Sequence, residues 1–86
     1  MSKEMTGPGC GVTVLGRAGL RYREGSQTVF VDGEMLTGPF DFMIYANSIR
    51  VWEGTKTLIA DAKRKEIVAN IQAAFEQNGL KADVES

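Results

Sequence analysis

The spacing of apolar residues in this chain changes once, after Gly54-Thr55, and this change constrains the fold more than any other feature. Before it, short apolar or alternating runs recur between turn residues from Val12 to Glu53, a spacing typical of an antiparallel meander. After it, five apolar residues repeat at the spacing of one helical face: Ile67, Val68, Ile71, Ala74 and Phe75. The sequence therefore predicts an α+β fold, a curled antiparallel β-meander of five or six strands packed against one C-terminal α-helix.

Turn residues set the limits of the predicted strands. These cover Val12 to Leu15, Leu20 to Glu24, Gln27 to Val31, Glu34 to Leu36, Phe40 to Tyr45 and Ile49 to Glu53. Gly25-Ser26 predicts a two-residue hairpin turn. Asp32-Gly33 predicts a second tight hairpin because both residues tolerate φ > 0, and a bulged continuous strand is the alternative. The strands on either side of Ala46-Asn47-Ser48 are expected to pair with each other.

The beginning of the chain is rich in glycine. The segment Thr6 to Gly11 contains three glycines and a proline, which disfavour any helix or regular strand before Val12. We therefore expect a flexible glycine-rich N-terminal arm over residues 1–11, followed by a single α+β domain over residues 12–86.

The helix is the most strongly patterned element. It is predicted to begin between Ile59 and Asp61, with Thr57 or Asp61 as its cap, and to end at Gly79. Gly79 would then bring Phe75 and Leu80 together as the apolar pair of a Schellman motif. The residues from 81 to 85 are expected to add a short edge strand or to fray.

Composition excludes several classes of function. The formal net charge of -1 and the pI near 5.3 provide no basic field for phosphates, so nucleic acid is not an expected partner. No apolar stretch approaches the roughly 18 residues of a membrane span, and the first residues carry Glu4 and no apolar run, so neither membrane nor secretion is expected. The single cysteine, Cys10, cannot form an internal disulfide, which favours a cytoplasmic location.

The chain contains no histidine, the commonest general base and imidazole metal ligand. We therefore expect a protein that is not an enzyme, with no catalytic residue, no metal site and no cofactor; an enzyme that uses carboxylates, or an ion bound by oxygen ligands, is the alternative. Cys10 has no nearby cation in sequence except Arg17 to lower its pKa. Asp32 and Glu34 would share a face of a continuous strand, where two carboxylates can hold a cation, but a turn Asp beside a surface Glu is the preferred interpretation.

Alternation along the strands predicts two unlike faces of the sheet. The apolar face, expected to pack against the helix, gathers Val12, Val14, Leu20, Tyr22, Val29, Val31, Phe40, Phe42, Ile44, Ile49 and Val51. The reverse face mixes apolar and charged groups: Leu15, Phe30, Met43, Tyr45 and Trp52 with Arg21, Arg23, Asp41 and Arg50. Such a mixture is typical of a protein-binding surface, and a sheet that curls over these side chains is the alternative.

The segment Val29 to Tyr45, followed by Ser48 to Glu53 and by a helix with the ending Asn78-Gly79-Leu80, resembles immunity protein 74 of bacterial polymorphic toxin systems. The likeness covers about residues 12 to 85. It implies a small cytoplasmic inhibitor that binds and neutralises the toxin encoded beside it, with no activity of its own. Of the family's characteristic positions, Glu34, Trp52 and Glu53 are matched here.

The predicted partner-binding residues combine this resemblance with the reverse face of the sheet. They are Trp52, Glu53, Glu34, Asp32, Asp41, Arg50 and Tyr45. Trp52 is interpreted either as an anchor for the toxin or as a partly buried core residue. The acidic members would suit a toxin with a basic substrate cleft, such as a nuclease. The alternative to a cognate toxin protein as partner is self-association into a homodimer, through a strand edge or the reverse face.

Overall fold

Short strands joined mostly by tight turns form one curled sheet in the computed structural model, which describes residues 4–7, 9–16 and 18–85. In chain order the elements are β1 (Glu4–Gly7), β2 (Cys10–Val14), β3 (Gly19–Glu24), β4 (Gln27–Met35), β5 (Phe42–Tyr45), a 3-10 turn (Ala46–Ser48), α1 (Asp61–Gln77) and β6 (Ala82–Glu85). The six strands lie in the order of the sequence, and α1 packs on one side of the half-barrel that they form. The predicted α+β fold is confirmed.

Neighbouring strands are antiparallel except for the last pair, in which β5 and β6 run parallel. The chain between these two strands crosses the sheet as α1, and a parallel pair needs a crossover of this kind. The predicted turn at Gly25-Ser26 is confirmed, because Glu24 pairs with Gln27 across it. Gly25 has a φ of 60°, as the first central residue of a type II′ turn does.

Three predictions about the strands are wrong. A regular strand does precede Val12, since β1 pairs with β2 from Glu4 to Gly7; residues 1–3 and Pro8 of the predicted arm lie outside the described residues. Asp32-Gly33 is not a hairpin: β4 is continuous through these residues, as in the alternative interpretation, and pairs with β3 up to Asp32 and with β5 from Gly33. The segment from 49 to 53 does not pair with β5; Val51 forms an isolated antiparallel bridge with Leu58 instead.

The inner face of the sheet and α1 enclose the core. Most of the predicted apolar face is buried there: Val12, Leu20, Tyr22, Val29, Val31, Phe42, Ile44 and Ile49. Val14 and Val51 are partly buried, whereas Phe40 lies in the loop before β5 and is 38% exposed. The helix contributes Ile67, Ile71, Ala74 and Phe75, and burial of these apolar side chains is the main stabilising contribution.

The sequence predicts the C-terminal end of α1 correctly but not its N-terminal cap. Its N-cap is Ala60, which makes no side-chain cap hydrogen bond, so the predicted caps are wrong; Asp61 is the first helical residue instead. The C-terminal prediction is confirmed. Gly79 has a φ of 75°, and the amide of Leu80 donates to the carbonyl of Phe75 at 2.9 Å, which is the long hydrogen bond of a Schellman motif.

A network of polar side chains connects β3 to α1. Lys63 Nζ lies 2.6 Å from Glu24 Oε2 and also pairs with Glu66 at 2.9 Å. The Tyr22 hydroxyl donates to Glu24 Oε1 at 2.7 Å and accepts from Asn70 Nδ2 at 2.9 Å. The hydrogen bond from Lys63, with that from Tyr22, lowers the pKa of Glu24 despite its partial burial.

This network predicts a pH-dependent effect of Glu24→Gln. A carboxyl whose pKa is lowered by folding stabilises the fold above its unfolded pKa of about 4.3, and this contribution disappears as the pH falls through the folded pKa. We expect Glu24→Gln to lower the free energy of unfolding by about 1 kcal/mol at neutral pH, and by much less near pH 3. Urea unfolding at both pH values checks this, with the exposed helix residue Glu76→Gln as control. A loss of stability that is equal at both pH values would contradict it.

Candidate partner-binding surface

The outer face of the sheet is the side turned away from α1. Side chains along β4 alternate between the two faces of the sheet. Val29, Val31 and Gly33 are buried, so Phe30, Asp32 and Glu34 lie on the outer face. The strand register extends this face sideways: Phe30 lies opposite Arg21 of β3, and Glu34 lies opposite Met43 of β5.

The outer face of β4 and β6, on either side of β5, carries four carboxylates, and we call them the acidic patch: Asp32, Glu34, Asp83 and Glu85. Tyr45 lies opposite Glu85 in the parallel pair, and Asp83 lies opposite Met43. The Tyr45 hydroxyl donates to Glu34 Oε1 at 2.6 Å. This hydrogen bond, with partial desolvation and the nearby charges of Glu85 and Asp32, raises the pKa of Tyr45 to about 12. Tyr45 therefore stays protonated and neutral at physiological pH.

The acidic patch is not neutralised within the part of the chain that the structure describes. The ion pairs among residues 4–7, 9–16 and 18–85 involve other carboxylates, namely Glu4, Glu24, Glu53, Asp61 and Glu66. Several uncompensated charges on one exposed surface produce a local negative potential, which attracts cationic groups of a partner.

The other half of the outer face, on β1 to β3, is closer to neutral. Arg23 makes two hydrogen bonds of 3.0 Å with the carboxylate of Glu4, and Arg21 Nε lies 3.2 Å from Glu53 Oε1. Beside them the ring of Phe30 is 40% exposed. Glu53 is thus placed against an arginine, apart from the acidic patch.

The remaining predicted residues lie elsewhere. Trp52 is only 6% exposed and belongs to the core, as in the second of its two interpretations. Asp41 binds the start of β6, since its carboxylate accepts from the amide of Lys81 at 2.8 Å. Arg50 follows the 3-10 turn, where its Nε donates to the carbonyl of Asn47 at 3.0 Å.

The structure therefore brings together Asp32, Glu34 and Tyr45 and separates the other four predicted residues. It adds Asp83 and Glu85, which the sequence prediction missed. Alternation within the expected edge strand from 81 to 85 could have indicated that these two side chains share a face. Their place beside Tyr45 depends on the parallel pairing with β5.

The sequence contains candidates for two kinds of reactive group, a metal site and the Cys10 thiol. No three Asp, Glu or Cys side chains in residues 4–7, 9–16 and 18–85 are arranged to hold a metal ion. Cys10 is buried, and burial raises the pKa of its thiol, which lowers its nucleophilicity at neutral pH. Arg17, the cation that the sequence places near it, lies outside the described residues.

The fold is that of a small α+β domain, in which a curled six-stranded sheet packs with one C-terminal helix. Residues 12–85 match the family model of immunity protein 74, and the chain belongs to this family. No match was found among curated proteins or among solved structures. Within the described residues, no helix combines the length and the apolar character that crossing a membrane requires.

Proposed function

We propose that this chain is an immunity protein that binds a cognate toxin domain in the cytoplasm and neutralises it by occlusion, without catalysis. Membership of the immunity protein 74 family supports the role, and the toxin follows from the name of the family. The outer face of the sheet supports the mode of action, because it offers an extended surface of exposed charged and aromatic side chains that another protein can cover.

The acidic patch is the main reason for placing the toxin-binding site on the outer face of the sheet. Tyrosine, phenylalanine and methionine are the kinds of side chain enriched in interfaces, and Tyr45, Phe30 and Met43 share the outer face with the carboxylates. Uncompensated carboxylates steer an oppositely charged partner and increase its association rate. The proposed toxin therefore presents a basic surface to β4, β5 and β6.

Self-association is the second candidate. The edge strands β1 and β6 are the structural feature that favours it, because strand edges can pair with another copy. A symmetric dimer through the acidic patch is disfavoured, since it would place like charges against one another. Sedimentation of the purified chain distinguishes the candidates: a monomer that forms a one-to-one complex with the toxin supports the first, and a dimer that captures no toxin supports the second.

Charge reversal in the acidic patch is expected to abolish protection. In a bacterial host, the chain is co-expressed with the C-terminal domain encoded by the neighbouring upstream reading frame, and growth is measured. The wild type should restore growth, whereas Glu34→Lys with Asp32→Lys should weaken toxin binding about 30-fold or more, or about 2 kcal/mol, because like charges would then meet across the interface.

The control is Glu76→Lys, which reverses one charge on the exposed side of α1, whereas the test variant reverses two. It should protect as well as the wild type, and thermal unfolding should confirm that all variants are folded. Growth arrest in the presence of the wild-type chain would overturn the proposed function. Full protection by the double variant would overturn the choice of surface alone.

A further inference from the structure

A second surface feature lies next to the acidic patch, on the other side of the 3-10 turn. It is an open groove of about 420 Å³ lined by Asn47, Arg50, Leu58, Ile59 and Arg64, which we call the arginine groove. The turn links the two features: Ser48 Oγ accepts from the amide of Asp32 at 2.8 Å and donates to the carbonyl of Tyr45 at 2.7 Å. The arginine groove is thus fixed in position relative to the acidic patch.

Both guanidinium groups of the groove are held by backbone carbonyls. Arg50 Nε donates to the carbonyl of Asn47 at 3.0 Å, and Arg64 Nε donates to the carbonyl of Ile49 at 2.9 Å. These bonds use the Nε atoms and reduce the rotamer freedom of two long side chains before any ligand binds. Such preorganisation lowers the entropy that binding would otherwise cost.

The charge of the groove is not balanced by the residues around it. Arg64 Nη1 lies 2.7 Å from Asp61 Oδ1, while the terminal nitrogens of Arg50 have no carboxylate within ion-pair distance in residues 4–7, 9–16 and 18–85. Two guanidiniums thus face one carboxylate, and Lys65 also lies 3.7 Å from that carboxylate. An anion is the complementary ligand, and a planar carboxylate matches the paired donors of a guanidinium.

One wall of the groove indicates what kind of molecule carries this anion. Leu58 is 79% exposed, the highest value among the large apolar side chains of the described residues. The bridge between Val51 and Leu58, with the hydrogen bond of 2.8 Å from the amide of Ile59 to the carbonyl of Arg50, holds it on a hairpin. A small inorganic anion would leave this side chain in water, whereas a protein surface would bury it.

We infer that the arginine groove binds an acidic side chain of the toxin, with Arg50 pairing with the carboxylate and Leu58 packing against neighbouring apolar surface. This inference rests on the proposed function and adds a second contact of opposite charge to that of the acidic patch. The toxin surface complementary to this chain is then basic opposite Tyr45 and acidic opposite Arg50. Two contacts of opposite sign specify orientation as well as attraction.

The test measures the dissociation constant of the purified complex with the toxin domain of the neighbouring reading frame. Arg50→Glu is expected to raise it about 30-fold, because a carboxylate would face a carboxylate, and Leu58→Ser about tenfold through lost apolar contact. Arg50→Lys, which keeps the charge but not the paired donors, should fall between wild type and Arg50→Glu. Thermal unfolding identifies any variant that fails to fold. If Leu58→Ser fails to fold, Leu58→Ala is measured in its place; if Arg50→Glu fails, the comparison uses Arg50→Lys.

The control is Gln77→Glu, which adds a negative charge at an exposed residue in the last turn of α1, about 20 Å from Arg64 along the helix axis. It should bind like the wild type. Equal affinities of wild type, Arg50→Glu and Leu58→Ser would overturn the inference and leave the proposed function standing. Failure of the wild type itself to bind would overturn both, and saturable micromolar binding of inorganic phosphate to the free chain would overturn the assignment to a protein carboxylate.

Discussion

Trp52→Ala is expected to lower the free energy of unfolding by about 3 to 5 kcal/mol. Trp52 is 6% exposed and packs in the core with Ile49 and Ile59, so truncation would leave a cavity beneath the hairpin that carries Leu58. Because Trp52 is the chain's one tryptophan, its own fluorescence is lost in the variant. Urea unfolding followed by far-UV circular dichroism measures the change instead.

Trp52→Phe is the matched variant, since it keeps an aromatic ring in the same space and should cost less than half as much. The same pair of variants defines what Trp52 does for binding. If Trp52 only supports the fold from the core, both variants, when folded, should bind the toxin with an affinity within about threefold of wild type. Trp52→Ala with wild-type stability and a tenfold weaker complex would show instead that the ring contacts the partner.

Gly33→Ala is expected to cost about 3 kcal/mol, although it adds a single methyl group. A Cβ at this position would overlap the carbonyl oxygen of Met43 and the ring of Phe42. The carbonyl belongs to the strand paired with β4, so it cannot move away without disturbing the β4–β5 pairing that carries Glu34. Chemical denaturation of the purified variant measures the loss.

Gly54→Ala is the control for this substitution. Gly54 lies in a turn with open space around it and outside the left-handed region of φ, so alanine there should change stability by no more than about 0.5 kcal/mol. If the two alanine variants were equally stable, the close approach of β5 to Gly33 would not be a constraint on the fold.

Gly33 also illustrates where the sequence was misleading. Asp-Gly between apolar runs is a strong local signal for a hairpin, yet glycine at this position is required by the closeness of β5. The two reasons for a glycine produce the same local sequence, and only the three-dimensional arrangement separates them. Where the signal and its cause were both local, as at Gly25-Ser26 and at the Schellman end of α1, the predictions are confirmed.

The candidate site was predictable to the extent that it depends on one strand and its neighbour. Asp32 and Glu34 share a face because residues two apart along a strand do, and Tyr45 reaches them from β5. Asp83 and Glu85 join them through a parallel pairing of β6 that local patterns do not specify. Trp52 was ambiguous because its side depends on the hairpin between Val51 and Leu58, which replaces the predicted strand pairing.

The parallel pair of β5 and β6 has a consequence for the order of events during folding. The strands from β1 to β4 meet through sequential turns, whereas Phe42 pairs with Ala82, so this pairing closes a longer loop and costs more conformational entropy than a hairpin does. Two of the four carboxylates of the acidic patch, Asp83 and Glu85, belong to β6. A nascent chain emerging from the ribosome therefore cannot present the full surface until β6 has been synthesised and has paired with β5.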